Sequence, residues 1–151
     1  MNGEMGIGQI HHVAIIVRSI DAVLPRYREL FGMEPEAEPF VFAAQRVRLC
    51  FLRTGPAPAT RIELVEPIDG SSGVARFLAA RGEGVHHICL TTDDLPAEIG
   101  RLAAHEAELI DREPRTGAHG TVAFIHPHTL SGVLWELLQT DDVDQPEHSK
   151  P

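Results

Sequence analysis

Two apolar segments each carry a pair of adjacent histidines near their start: Ile10-His11-His12-Val13-Ala14-Ile15-Ile16-Val17 and Val85-His86-His87-Ile88-Cys89-Leu90. At nearly the same separation, each is followed by an apolar segment with a glutamate in its middle. These are Arg61-Ile62-Glu63-Leu64-Val65-Glu66-Pro67 and Gly132-Val133-Leu134-Trp135-Glu136-Leu137-Leu138. A carboxylate buried without a partner is costly, and a cation is its simplest partner. Imidazole and carboxylate together suit one divalent first-row ion (Co, Mn, Ni, Fe or Zn) with positions left open for a substrate oxygen. A closed structural zinc site more often uses thiolates. One histidine and one glutamate from each half, Glu63 and Glu136 being the glutamates, would complete such a set. Adjacent strand residues face opposite sides. Both faces of each histidine strand are apolar, so alternation alone does not choose between His11 and His12, or between His86 and His87.

The elements that must position these groups repeat as well. Residues 1–9 contain three glycines and read as a flexible leader. The β-branched run 10–17 predicts a strand. Ser19 or Asp21 would cap a helix whose apolar residues Ala22, Val23, Leu24, Tyr27, Leu30 and Phe31 recur at helical spacing until Gly32. Strands are expected over 39–43, 47–52 and 61–66, giving one βαβββ module over 10–66. The connector 67–84 holds a short helix over 74–81. A second module over 85–139 repeats the order, with a strand over 85–91, a cap at Thr92 or Asp93, a helix over 96–104, and strands over 109–112, 121–125 and 133–138. The predicted fold class is α+β, a single domain over 10–139 in which the paired modules form a cup-shaped mixed β-sheet. The polar, acidic residues 140–151 read as a disordered tail.

Of the 151 residues, 43% are hydrophobic, enough for one compact core, and the formal net charge is −9. Lys150 is the sole lysine. Without clustered basic residues the chain is not expected to grip nucleic acid or an anionic membrane. No apolar run is long enough to span a bilayer, and the first residues lack the order of a signal peptide, so a cytoplasmic location is expected. Cys50 and Cys89 lie in apolar strand patterns without CxxC spacing, which predicts buried, reduced thiols.

The ordered set of motifs resembles the vicinal oxygen chelate superfamily, the class of glyoxalase I, extradiol dioxygenases and fosfomycin-resistance proteins. Within it the chain is most similar to the methylmalonyl-CoA epimerase family. The stretches that carry the resemblance are Ile10-His11-His12-Val13-Ala14, Gln45-Arg46-Val47-Arg48, Ile62-Glu63-Leu64-Val65-Glu66-Pro67, Gly82-Glu83-Gly84-Val85-His86-His87-Ile88, Gly117-Ala118-His119-Gly120, Phe124-Ile125-His126-Pro127 and Gly132-Val133-Leu134-Trp135-Glu136-Leu137. The resemblance implies the vicinal oxygen chelate fold and a divalent metal held by His12, Glu63, His87 and Glu136. It leaves His11 and His86 as structural histidines on the helix-packed side.

The resemblance further implies inversion at C2 of methylmalonyl-CoA, or of a related malonyl thioester, by removal and return of the α-proton. Some relatives carry a free proton-transfer carboxylate on the strand matching 47–52, but here that strand reads Val47-Arg48-Leu49-Cys50-Phe51-Leu52. Either a metal-ligand glutamate doubles as the base, which makes Glu63 and Glu136 the candidate catalytic carboxylates, or an off-strand residue serves, or the reaction differs. His119, on its glycine-flanked loop, and His126 are candidate substrate contacts, and His128 stands where lysine or arginine is frequent among relatives. The expected partners are a small-molecule acyl-CoA thioester and, by resemblance, a second copy of the chain in a homodimer. Two other readings share the fold: a glyoxalase-like isomerase or lyase, and a non-catalytic small-molecule binding or resistance protein. An intact two-histidine, two-glutamate set favours an enzyme over the binder.

Overall fold

A computed structural model describes residues 6–141. The chain divides into two compact units, one formed by His11–His87 and the other by the segments on either side of it. In order, the elements are β1 (Ile7–Ile16), α1 (Ile20–Phe31), β2 (Phe40–Phe42), β3 (Val47–Arg53), β4 (Arg61–Pro67), α2 (Gly73–Arg81), β5 (Gly84–Thr92), α3 (Leu95–Ala104), β6 (Arg115–Thr116), β7 (Gly120–Ile125) and β8 (Trp135–Thr140). The predicted α+β class and the two βαβββ modules are both present. β1 begins at Ile7, so residues 7–9 are strand and not leader. The tail beyond 141 lies outside the described residues.

In the first unit β1 runs parallel to β4 while β3 pairs antiparallel with both β4 and β2. The second unit repeats the scheme: β5 is parallel to β8, and β7 pairs antiparallel with β8 and β6. Each unit packs one sheet face on its helix. Val17, Ile20, Leu24, Cys50, Leu52 and Leu64 form the core under α1. Leu95, Ile99, Ala123, Ile125 and Leu137 form the equivalent core under α3. Alternation then sends the other strand residues to the opposite face, where the chemistry-bearing side chains lie.

The caps resolve two choices that the sequence left open. The Ser19 hydroxyl accepts from the Ala22 N–H at the start of α1. At α3 the cap is Asp94, whose carboxylate accepts from the Ala97 N–H, and neither Thr92 nor Asp93 fills the role. At the far end of α1, Gly32 adopts φ 64 and its N–H closes on the Arg28 carbonyl.

One predicted strand is absent. Residues 109–112 contribute only an isolated bridge between Leu109 and Ile125, and the strand pairing with β7 comes later, at 115–116. Asp111 explains the break, because its carboxylate accepts from the Phe124 N–H at 2.8 Å. A side chain thus takes the bond that a ladder carbonyl would otherwise make. Pro114, which lacks an N–H, follows.

Among the described residues, no helix is long and apolar enough to cross a membrane. Both cysteines are free thiols and buried. Burial pushes the Cys50 thiol above its ordinary range, with flanking arginines pulling weakly the other way. A chromogenic disulfide reagent at pH 8 should therefore leave both thiols of the native protein unmodified over minutes and titrate two per chain once guanidinium is added. Leu64→Ala, which empties a fully buried site under α1, should cost about 2–5 kcal/mol in a urea unfolding experiment.

Candidate metal centre

The parallel registers decide which histidine of each pair lies on the glutamate's face. In the first unit Ala14 pairs with Glu63, and in the second Cys89 pairs with Glu136. Paired residues share a sheet face, as do residues two apart on one strand. His12 therefore lies on the face of Glu63, and His87 on the face of Glu136, at the same offset in both copies. Burial agrees: His12, His87, Glu63 and Glu136 are each less than a tenth exposed, whereas His11 and His86 are half-buried.

Three of the four expected ligands fall within the first unit and converge there. His12 Nε2 and His87 Nε2 are 3.2 Å apart, and Glu63 Oε1 lies 3.7 Å from each. Donor atoms bound at about 2.1 Å to a common ion stand roughly 3.0–3.4 Å apart at octahedral or tetrahedral angles. A small contraction would bring this trio to those separations. Two imidazoles and one carboxylate are also a donor set that first-row divalent ions accept. Glu136 belongs to the second unit, where its register against Cys89 reproduces that of Glu63 against Ala14.

Around the trio the walls are apolar and aromatic. Phe51 is paired with Glu63 and meets the His12 ring edge to face at 5.6 Å. Leu49 and Phe51 turn to the Glu63 face, and Cys50 and Leu52 point into the core under α1. Of the strand residues that share this face in the first unit, Glu63 is the sole carboxylate; β3 offers none.

The two flanking histidines sit beside the ligands. His11 Nδ1 lies 2.8 Å from His12 Nδ1, and His86 Nδ1 lies 2.8 Å from His87 Nδ1. His86 packs edge to face on Phe77 of α2, in line with the expected helix-packed position. His11 is different, since its Nε2 accepts from Arg61 Nη1 at 3.1 Å, while Arg61 Nε donates to Glu36 at 2.6 Å. Neither Glu36 nor Arg61 stood out in the sequence; a salt bridge between distant positions leaves no local pattern.

His119 lies in the tight turn between β6 and β7, where the Gly117 N–H bonds to the Gly120 carbonyl at 2.7 Å. Gly120 is needed there: it has φ 152, and a Cβ on it would collide with the Gln139 carbonyl of β8. His126 follows β7, its Nδ1 accepting from the His128 N–H and so capping a single 3₁₀ turn. Glu108 lies within 4.0 Å of both His126 and His128, an exposed grouping unlike the buried trio.

Residues 11–124 match the model of the glyoxalase/bleomycin resistance protein/dioxygenase superfamily. The chain is 36% identical over 137 residues to the mitochondrial methylmalonyl-CoA epimerase of Dictyostelium discoideum, covering 89% of this chain and 80% of that protein. It is 37% identical over 139 residues to the ethylmalonyl-CoA/methylmalonyl-CoA epimerase of Cereibacter sphaeroides, with 88% and 98% covered. Among solved structures it resembles a variant of the Streptomyces coelicolor methylmalonyl-CoA epimerase in complex with 2-nitronate-propionyl-CoA, at TM-score 0.85 and 33% identity, covering 93% of this chain and 99% of that one.

Cobalt(II) added to the purified protein should produce a visible absorption band that saturates at one ion per chain. His12→Ala or Glu63→Ala should weaken that titration about 100-fold or more, and His126→Ala should leave it unchanged.

Proposed function

The chain belongs to the glyoxalase/bleomycin resistance protein/dioxygenase superfamily, and from that premise we propose that it is an acyl-CoA epimerase that inverts C2 of methylmalonyl-CoA or a related malonyl thioester. Its similarity to epimerases across most of its length makes it an isomerase of the methylmalonyl-CoA epimerase type. The observation that carries the reading is the repeated register, a histidine and a glutamate on one sheet face at the same offset in both modules. His12, Glu63, His87 and Glu136 are proposed to hold one divalent ion. When bound, that ion supplies a Lewis acid for negative charge developing on the thioester oxygen as the α-proton leaves.

The remaining work falls to the chain's own side chains. Epimerisation needs a group that takes the proton from one side of C2 and a group that returns it on the other. Because β3 turns no carboxylate to the Glu63 face, Glu63 and Glu136 are the proposed proton carriers. Phe51 and Leu49 exclude water beside Glu63, so that a proton held there is returned to carbon in preference to solvent. His119 and His126 are proposed substrate contacts. A homodimer and a cytoplasmic location are the accompanying proposals for assembly and place.

The lack of a carboxylate on β3 also favours a second reading, a glyoxalase-like isomerase or lyase in which a ligand glutamate is the base. Both readings move a proton at carbon beside a carbonyl, and the fate of the product separates them. Incubated with methylmalonyl-CoA and cobalt(II) in D2O, the protein should exchange the C2 proton for deuterium and equilibrate the two epimers, as followed by NMR and chiral analysis. Glu136→Ala and Glu63→Ala should each lower the rate at least about 100-fold. No exchange by the metal-loaded protein would discard the epimerase assignment and move the reading to the glyoxalase-like one.

A further inference from the structure

A run of ring nitrogens links the surface of the first unit to its buried trio. Glu36 accepts from Arg61 Nε at 2.6 Å, and Arg61 Nη1 meets His11 Nε2 at 3.1 Å. His11 Nδ1 then meets His12 Nδ1 at 2.8 Å, and His12 Nε2 meets His87 Nε2 at 3.2 Å. Finally, His87 Nδ1 meets His86 Nδ1 at 2.8 Å. A guanidinium only donates, and a neutral imidazole has one donor and one acceptor nitrogen. The donor at the Arg61 end therefore sets the direction of every later bond. His11 accepts at Nε2 and donates from Nδ1; His12 accepts at Nδ1 and carries its hydrogen on Nε2, the nitrogen that faces Glu63 and His87.

That order conflicts with metal ligation. An ion at the trio needs the lone pair of His12 Nε2, so the hydrogen of His12 must sit on Nδ1 and be donated to His11 Nδ1. The hydrogen of His11 then sits on Nε2, facing Arg61 Nη1, and two donors oppose each other. From this geometry we infer that Arg61, held by Glu36, is a positioning residue that fixes the His11 and His12 tautomers in the metal-free order and must release His11 before the site takes its ion. The inference rests on the proposed metal-binding role of His12. It assigns to Arg61 and Glu36, neither of which is a proposed ligand, control over how tightly the site binds.

Two variants and one spectrum test it. Arg61→Gln replaces a donor-only group with an amide that can accept from His11 Nε2–H, and Glu36→Ala removes the anchor that holds Arg61 in place. Both should tighten cobalt(II) binding about tenfold, the effect of no longer breaking one bond to a charged donor. Simple charge effects predict opposite signs, since losing a cation strengthens cation binding and losing an anion weakens it. Tighter binding in one variant and weaker in the other would therefore overturn the inference, as would weaker or unchanged binding in both. Long-range proton–nitrogen NMR of the metal-free wild type should show His11 with its hydrogen on Nδ1 and His12 with its hydrogen on Nε2. The opposite pattern would overturn it even if a variant failed to fold. If the wild type bound no cobalt, the metal reading would fall, and with it the inferred control, while the spectrum still reported the tautomers.

Discussion

The register of two parallel strand pairs is the constraint on which everything else depends. Ala14 beside Glu63, and Cys89 beside Glu136, put each glutamate on the face of the histidine two residues earlier. A slip of one residue in either pair would turn the glutamate into the helix-packed core and bring an aliphatic neighbour out in its place. The register is protected because the opposite face is already committed. Leu64 lies against α1 in one unit and Leu137 against α3 in the other, both almost completely buried.

Such a face is not arranged for stability. Burying His12, Glu63 and His87 together removes polar groups from water, and their mutual contacts are longer than good ion pairs. The cost falls on a small domain whose net stability is a modest difference of large terms. The aliphatic cores beneath the helices offset it. Local sequence choices that work against stability are expected at functional sites and rare elsewhere.

Much of this was legible in the sequence because it is periodic. The βαβββ repeat, the apolar strands and the mid-strand glutamates are all patterns of type and spacing along the chain. Where the reading went astray, a single side chain had overridden a pattern. Asp111 takes the Phe124 N–H and ends a strand that its β-branched and aliphatic neighbours seemed to continue. Asp94, one place beyond the expected cap, wins at α3 because its carboxylate reaches the Ala97 N–H. The choice of His12 over His11 needed the partner strand, which alternation within β1 does not contain. The link from Glu36 through Arg61 to His11 was invisible, since it joins residues from separate elements by side-chain geometry alone.

The aromatic residues paired with the two glutamates bear on how such a site would handle a proton. Phe51 lies opposite Glu63 across the β3–β4 ladder, and Phe124 lies opposite Glu136 across the β7–β8 ladder, so each carboxylate has an aromatic neighbour in the same relative position. Neither ring can take a proton, but each removes water from one side of its glutamate. A dry neighbourhood slows loss of an abstracted proton to solvent and strengthens the pull of any nearby charge. With no carboxylate on β3 beside it, a glutamate acting on a proton at such a site would depend the more on this shielding from water.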